Sequence, residues 1–153
     1  MNKLFYAITM LRKRGVGFLW TYFKESIWFD LRYGTRTFAR VPKDEQLIAG
    51  NATEADEGLL YVASFTSVTR KTVSNARDIL GEKRFSQAQF FDLGCGKGKA
   101  LLVFAKLFGK GQMHQAVGIE YDPDLAALAQ RNILKCGFAK DRVRVVTDSA
   151  VNL

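Results

Sequence analysis

The chain has 153 residues, 48% of them hydrophobic and 25% charged, with two prolines and two cysteines. This is room for one ordinary globular domain. Cys95 and Cys136 form neither a disulfide framework nor a metal-ligand spacing, so no metal is expected and a reduced, cytoplasmic setting fits. The formal charge of +8 is uneven: residues 1–43 hold nine Lys/Arg against Glu25 and Asp30, a net of +7, whereas 44–153 hold fourteen against thirteen, a net of +1.

From the N-terminus, the apolar run Leu4–Leu11 is cut off by Arg12-Lys13-Arg14, far short of the roughly 20 residues that span a bilayer. No small-residue cleavage site follows, which argues against a secretory signal. Residues 1–58 form a basic, aromatic extension in which Phe18, Trp20, Tyr22, Phe23, Trp28 and Phe29 crowd together. Amphipathic helices interrupted near Gly15 and Gly17 are expected, followed by a polar linker from Pro42 to Gly58. Three partners are open to this extension: the domain that follows, an anionic membrane or acidic protein, and nucleic acid or substrate.

Residues 59–153 alternate between helical and strand patterns. Val68, Thr72, Ala76, Ile79 and Leu80 share a helical face that ends at Gly81. Gln89–Leu93 is a short buried strand, Ala100–Phe108 a helix apolar nearly all round, and Ala116–Glu120 a second strand. Asp122-Pro123 is an N-cap with proline at the first helical position. Leu125, Leu128, Ala129, Ile133 and Cys136 fall on one face of the helix that follows, Gly137 closes it, and Val143–Thr147 is a third strand. Strands alternating with helices imply parallel strands joined by right-handed crossovers.

The densest chemical signal is Phe90-Phe91-Asp92-Leu93-Gly94-Cys95-Gly96-Lys97-Gly98-Lys99, a strand running through alternating glycines into a helix. Glycines there allow a sharp turn and a close backbone approach to a ligand. A nucleoside triphosphate loop needs four residues between the first Gly and Gly-Lys, then Ser or Thr. Here three separate Gly94 from Gly98-Lys99, and Ala100 follows. A dinucleotide loop needs G-x-G-x-x-G, but Lys99 holds the third glycine position and Asp92 would repel a pyrophosphate. S-adenosyl-L-methionine carries no phosphate. Its ammonium and sulfonium suit an acid placed before the glycines, and its carboxylate suits a helix start.

Asp92, Gly94, Gly96 and Gly98 complete a D-x-G-x-G-x-G pattern that resembles the first motif of class I methyltransferases. Glu120, at the end of the second strand, suits a ribose diol. The resemblance implies Tyr121 against the adenine, Asp148 at the adenine amino group and the Ser149 backbone beside it, with Cys95 among the loop contacts. Phe91–Lys99 and Val117–Glu120 are closer still to the non-SET histone-lysine methyltransferases and their bacterial relatives, which usually carry Ser where Cys95 stands. The segment Tyr61-Val62-Ala63-Ser64 is similar to the one those enzymes fold over the cofactor, which adds Tyr61.

The expected fold is therefore α/β: the first half of a Rossmann-like class I methyltransferase sheet, with 1–58 as helical extension and 59–153 as cofactor-binding domain. The resemblance implies N-methylation of a protein lysine with S-adenosyl-L-methionine as donor. No N/D-P-P acceptor motif is present, so no catalytic residue is named and the methyl acceptor stays open. The domain looks truncated after its third strand, which leaves the strand around Phe91 with an unpaired edge that invites association. A non-catalytic cofactor-binding or scaffold fragment is the second reading. A nicotinamide-dependent oxidoreductase is the third, and it fails at Asp92 and Lys99. Lys97 and Lys99 themselves are read either as solvated loop charges or as ligand contacts, and Cys95 as a structural residue, or else as a thiol whose pKa its helix-start position could lower.

Overall fold

In the computed structural model of the protein, residues 15–38, 63–108, 115–149 and 151 are described. A helical segment, α1, covers 15–33 and passes uninterrupted through Gly17. Its middle, Phe23–Ile27, is a π-helical turn, and it finishes as α-helix over Trp28–Tyr33. Gly15 at its start has the left-handed φ of 74° that an interruption needs, but the expected break at Gly17 is absent, and the expected linker from Pro42 to Gly58 lies outside the described residues. Helix α2 covers Thr66–Phe85 and is followed by β1 (Phe90–Leu93), α3 (Lys99–Phe108), β2 (Ala116–Glu120), α4 (Pro123–Lys135) and β3 (Val143–Thr147).

The three strands form a parallel sheet in the order β1-β2-β3, with Phe90 paired to Ala116 and Ala116 paired to Val143 at its start. Parallel neighbours joined by helices are the Rossmann-like arrangement that the alternating pattern implies. Successive side chains of a strand point to opposite faces. Phe90 of β1 stacks on Phe104 of α3 at 4.5 Å, so Phe91 and Leu93 point to the other face, where they stay 52% and 58% exposed. Among the described residues β1 pairs only with β2.

The core lies between the sheet and α3. Leu101 to Ala105 are all buried, together with Ala116, Ile133 and Val143. The N-cap of α4 is as expected: the Asp122 side chain accepts hydrogen bonds from the Asp124 and Leu125 N–H groups, and Pro123 follows it. Helix α2 differs from expectation in its inward face. Gly81 interrupts it as expected, with a non-helical backbone at φ 71° and ψ 159°, but its buried residues are Thr69, Val73 and Phe85, whereas Val68 and Ile79 are exposed. Two stripes competed on this helix, and packing against α3 selected the one carrying Val73.

Gly118 in the middle of β2 allows the closest contact in the sheet. A Cβ there would lie 2.6 Å from both Cys95 Sγ and Leu101 Cδ1 and 2.9 Å from Cys95 Cβ. Neither neighbour has room to retreat, since Leu101 is fully buried and Cys95 nearly so. Gly118→Ala should therefore overpack the core and destabilise the fold by about 1–3 kcal/mol. Urea unfolding checks this as a lower midpoint with an unchanged slope; a midpoint equal to the parent's would show that the glycine is not required.

Candidate cofactor-binding site

The site forms at the carboxyl ends of the three strands, where open α/β sheets bind ligands. β1 delivers Asp92, β2 delivers Glu120 and Tyr121, and β3 leads into Asp148 and Ser149. The strand ends are tied side by side: the Gly94 and Cys95 N–H groups both donate to Ile119 O, at 2.8 and 2.9 Å, and the Asp148 N–H donates to Glu120 O at 3.0 Å. Strand β1 thus hands its chain to the end of β2 before the glycine loop turns into α3.

Within the loop, Gly94, Gly96 and Gly98 all have positive φ, a region that disfavours residues with a Cβ. The Gly96 N–H donates to Glu120 Oε2 at 2.6 Å, and the Asp122 N–H donates to Oε1 of the same carboxylate at 3.1 Å. Glu120 is thereby fixed by two backbone donors, one from the loop and one from the start of α4. A carboxylate has about four acceptor positions, so two remain for a diol. Gly98 sits lower, where an added Cβ would lie 3.2 Å from the Ala129 methyl. It serves the packing of α3 on α4 more directly than ligand approach.

Asp92 lies beneath this loop. Burial and the charge of Glu120 push its carboxyl up to about 6. Lys99 turns elsewhere. Lys97 and Lys99 are both buried, so the solvated reading is wrong. Lys99 Nζ donates to Glu25 O of α1 at 2.6 Å and sits 5.4 Å from the Phe29 ring centre. Burial lowers the pKa of both lysines, and Asp30 partly offsets this for each.

Cys95 takes the structural of its two readings. It is buried against Gly118, and burial raises its pKa strongly, with Asp92 and Glu120 adding to the effect. Its place at a helix start does not activate this thiol, because burial first, and the two acids second, disfavour the thiolate. Its side chain faces the core, so only its backbone is placed for a loop contact. Tyr121 is exposed beside Glu120, and the Asp148 carboxylate accepts the Ser149 N–H at 2.7 Å. Tyr61 lies outside the described residues.

The sequence left open whether residues 1–58 pack on the domain that follows; the described part, α1, does so through contacts that sequence reasoning missed. The Glu25 carboxylate bonds to the Thr66 hydroxyl and, at 2.9 Å, to the Ser67 N–H, capping α2 where Phe65 at the N-cap position provides no side-chain bond. Asp30 accepts four hydrogen bonds, from both Thr35 and Thr37 hydroxyls and from the Thr37 and Phe38 N–H groups. Burial raises the pKa of each acid, but these bonds outweigh it and hold both carboxyls below their ordinary range. Asn132 of α4 then links the turn to the loop: its Oδ1 accepts the Arg36 N–H at 3.1 Å, and its Nδ2 donates to Lys97 O at 3.0 Å. The one sequence signal was Asp30 beside a Gly-Thr-Arg-Thr turn.

Two acids, a loop of backbone N–H groups at a helix start and no phosphate-binding lysine suit S-adenosyl-L-methionine and disfavour a dinucleotide. A family model described as protein-L-isoaspartate(D-aspartate) O-methyltransferase matches residues 61–150. Among solved structures, an RNA methyltransferase from Salinibacter ruber in complex with S-adenosyl-L-homocysteine is 26% identical, with 60% of this chain and 53% of that one covered and a TM-score of 0.48. A protein-L-isoaspartate O-methyltransferase is 19% identical, with 80% of this chain and 40% of that one covered and a TM-score of 0.43. The chain thus spans about half the length of these structures or less. No curated protein matches by sequence.

If Asp92 faces the ligand, its raised carboxyl makes binding pH-dependent. A ligand ammonium prefers the carboxylate, so protonating Asp92 below about pH 6 opposes binding. Affinity for S-adenosyl-L-homocysteine should rise about tenfold from pH 5 to 7 and then level off. Asp92→Asn should weaken binding at pH 7 and remove the inflection. Titration calorimetry across this range tests it; a parent affinity independent of pH would mean that Asp92 does not face the ammonium.

Proposed function

The chain belongs to the protein-L-isoaspartate(D-aspartate) O-methyltransferase family, and from that premise we propose that residues 63–149 are the cofactor-binding part of a methyltransferase acting on a protein. The observation that carries the reading is the Asp92–Glu120 pair at the glycine loop, where Gly96 bonds Glu120 and Lys99 is turned away to Glu25 O. When bound, S-adenosyl-L-methionine supplies an activated methyl group. The chain's own residues orient it: Asp92 faces the ammonium, the loop backbone and α3 start face the carboxylate, and Glu120, held by Gly96 and Asp122, accepts from the ribose. Tyr121, Asp148 and the Ser149 backbone border the adenine end.

The family description favours a protein carboxylate as acceptor. A lysine acceptor is the finer reading that rests on the resemblance of Phe91–Lys99 and Val117–Glu120 to the non-SET histone-lysine enzymes. A cofactor-binding module without activity is the remaining alternative. We place the protein in the cytoplasm, on the strength of its two free thiols.

Methyl-labelled S-adenosyl-L-methionine, offered to the intact protein with peptides containing isoaspartyl or lysyl residues, separates these readings. A carboxylate acceptor gives a methyl ester lost in mild base; a lysine acceptor gives a base-stable methylamine. Label transferred to RNA alone would overturn a protein acceptor, and cofactor binding without any transfer would leave the non-catalytic module.

A further inference from the structure

We propose that the outward face of α1 is a docking surface for a membrane carrying anionic lipid headgroups. Val16, Trp20, Phe23, Trp28 and Leu31 are large apolar side chains left exposed on one short helix, at 73%, 65%, 38%, 50% and 67%. Their spacings are four, three, five and three residues. Steps of three and four keep an α-helical face, and the step of five spans the π turn Phe23–Ile27, where the repeat is i to i+5. In an unbroken α-helix, Trp28 and Leu31 would rotate away from the line set by Val16, Trp20 and Phe23. The π turn returns them to it. Trp20 and Phe23 stack at 5.9 Å on this face.

The opposite face is committed to the domain. Ser26 and Phe29 are buried, Tyr33 packs on the core, and Glu25 and Asp30 spend their carboxylates on α2 and on the 35–38 turn. Both acids of the described segment are thus turned inward, whereas Lys24, Arg32 and Arg36 are exposed. An open groove of about 420 Å³ adjoins the stripe, lined by Ile27, Leu31 and Gly34 with Arg36 and Lys135 beside them and the fully bonded Asp30 among its walls. It suits an anionic headgroup next to acyl chains.

Apolar side chains including tryptophan, bordered by Lys and Arg, are the composition of a helix lying in the membrane interface. No described helix is long and apolar enough to cross a membrane, so the contact is peripheral. A second copy of the chain fits less well, since pairing two stripes would bring their basic margins together.

The test uses the intact chain, with vesicles of phosphatidylcholine alone or mixed with phosphatidylserine. Deleting the N-terminus would remove Phe29 from the core and Glu25 from α2, so point substitutions are used. The chain should co-sediment with the phosphatidylserine vesicles, bind phosphatidylcholine at least tenfold more weakly, and be released by salt. Trp20→Glu and Leu31→Glu should each reduce binding at least tenfold while thermal unfolding and S-adenosyl-L-homocysteine affinity match the parent. Failure of the parent to bind phosphatidylserine vesicles, equal binding to both lipids, or unaltered binding by both variants would overturn the proposal. So would sedimentation showing a dimer that Trp20→Glu dissociates, because the stripe would then belong to a second copy.

Discussion

Two carboxylates held at one end of a parallel sheet set the terms for everything around them. Asp92 and Glu120 come from neighbouring strands and share a partly dry edge, which keeps Asp92 reluctant to ionise. Glu120 is stabilised by two backbone N–H groups, and one of these belongs to Gly96. The glycine loop therefore reaches its shape by wrapping a carboxylate of the next strand. A ligand with a cationic end and a diol meets both needs at once, whereas a dinucleotide offers Glu120 a ribose diol but would set its pyrophosphate against Asp92.

The lysines of the loop explain why the pair stays acidic. Lys99 is drawn to the carbonyl of Glu25 and the face of Phe29, and Asp30 acts on both Lys97 and Lys99. Helix α1 thus takes up the positive charge of the loop, while Asn132 ties the loop backbone to the turn after α1. This divides α1 into a face that completes the site's surroundings and a face left to the exterior. The π turn is where the two requirements meet, because it keeps the inward acids and the outward apolar side chains each in line.

Much of this was legible in the sequence where the cause is local. The three strands, the Asp122-Pro123 start of α4 and the Asp-Gly-Gly-Gly loop follow from periodicity, capping chemistry and backbone sterics within a few residues. That Asp92, Glu120 and Asp148 come together was legible for the same reason, since strand ends in a parallel sheet fall together by topology. What escaped depends on distant partners. Burial of Lys99 requires a carbonyl 74 positions upstream. The inward face of α2 is chosen by α3, not by its own pattern. The thiol of Cys95 is governed by Gly118, Asp92 and Glu120, three residues whose proximity only the folded sheet creates. The π turn has no proline or glycine to mark it.

The central claim is that this sheet edge recognises S-adenosyl-L-methionine and not a dinucleotide. Titration calorimetry of the intact chain with S-adenosyl-L-homocysteine and with NAD, beside a Gly96→Val variant, tests it most directly. The account predicts saturable binding of S-adenosyl-L-homocysteine, no binding of NAD, and loss of binding in the variant, because a β-branched residue at the positive φ of Gly96 would distort the loop that holds Glu120. Saturable binding of NAD with none of S-adenosyl-L-homocysteine, or a variant that binds as the parent does, would contradict it.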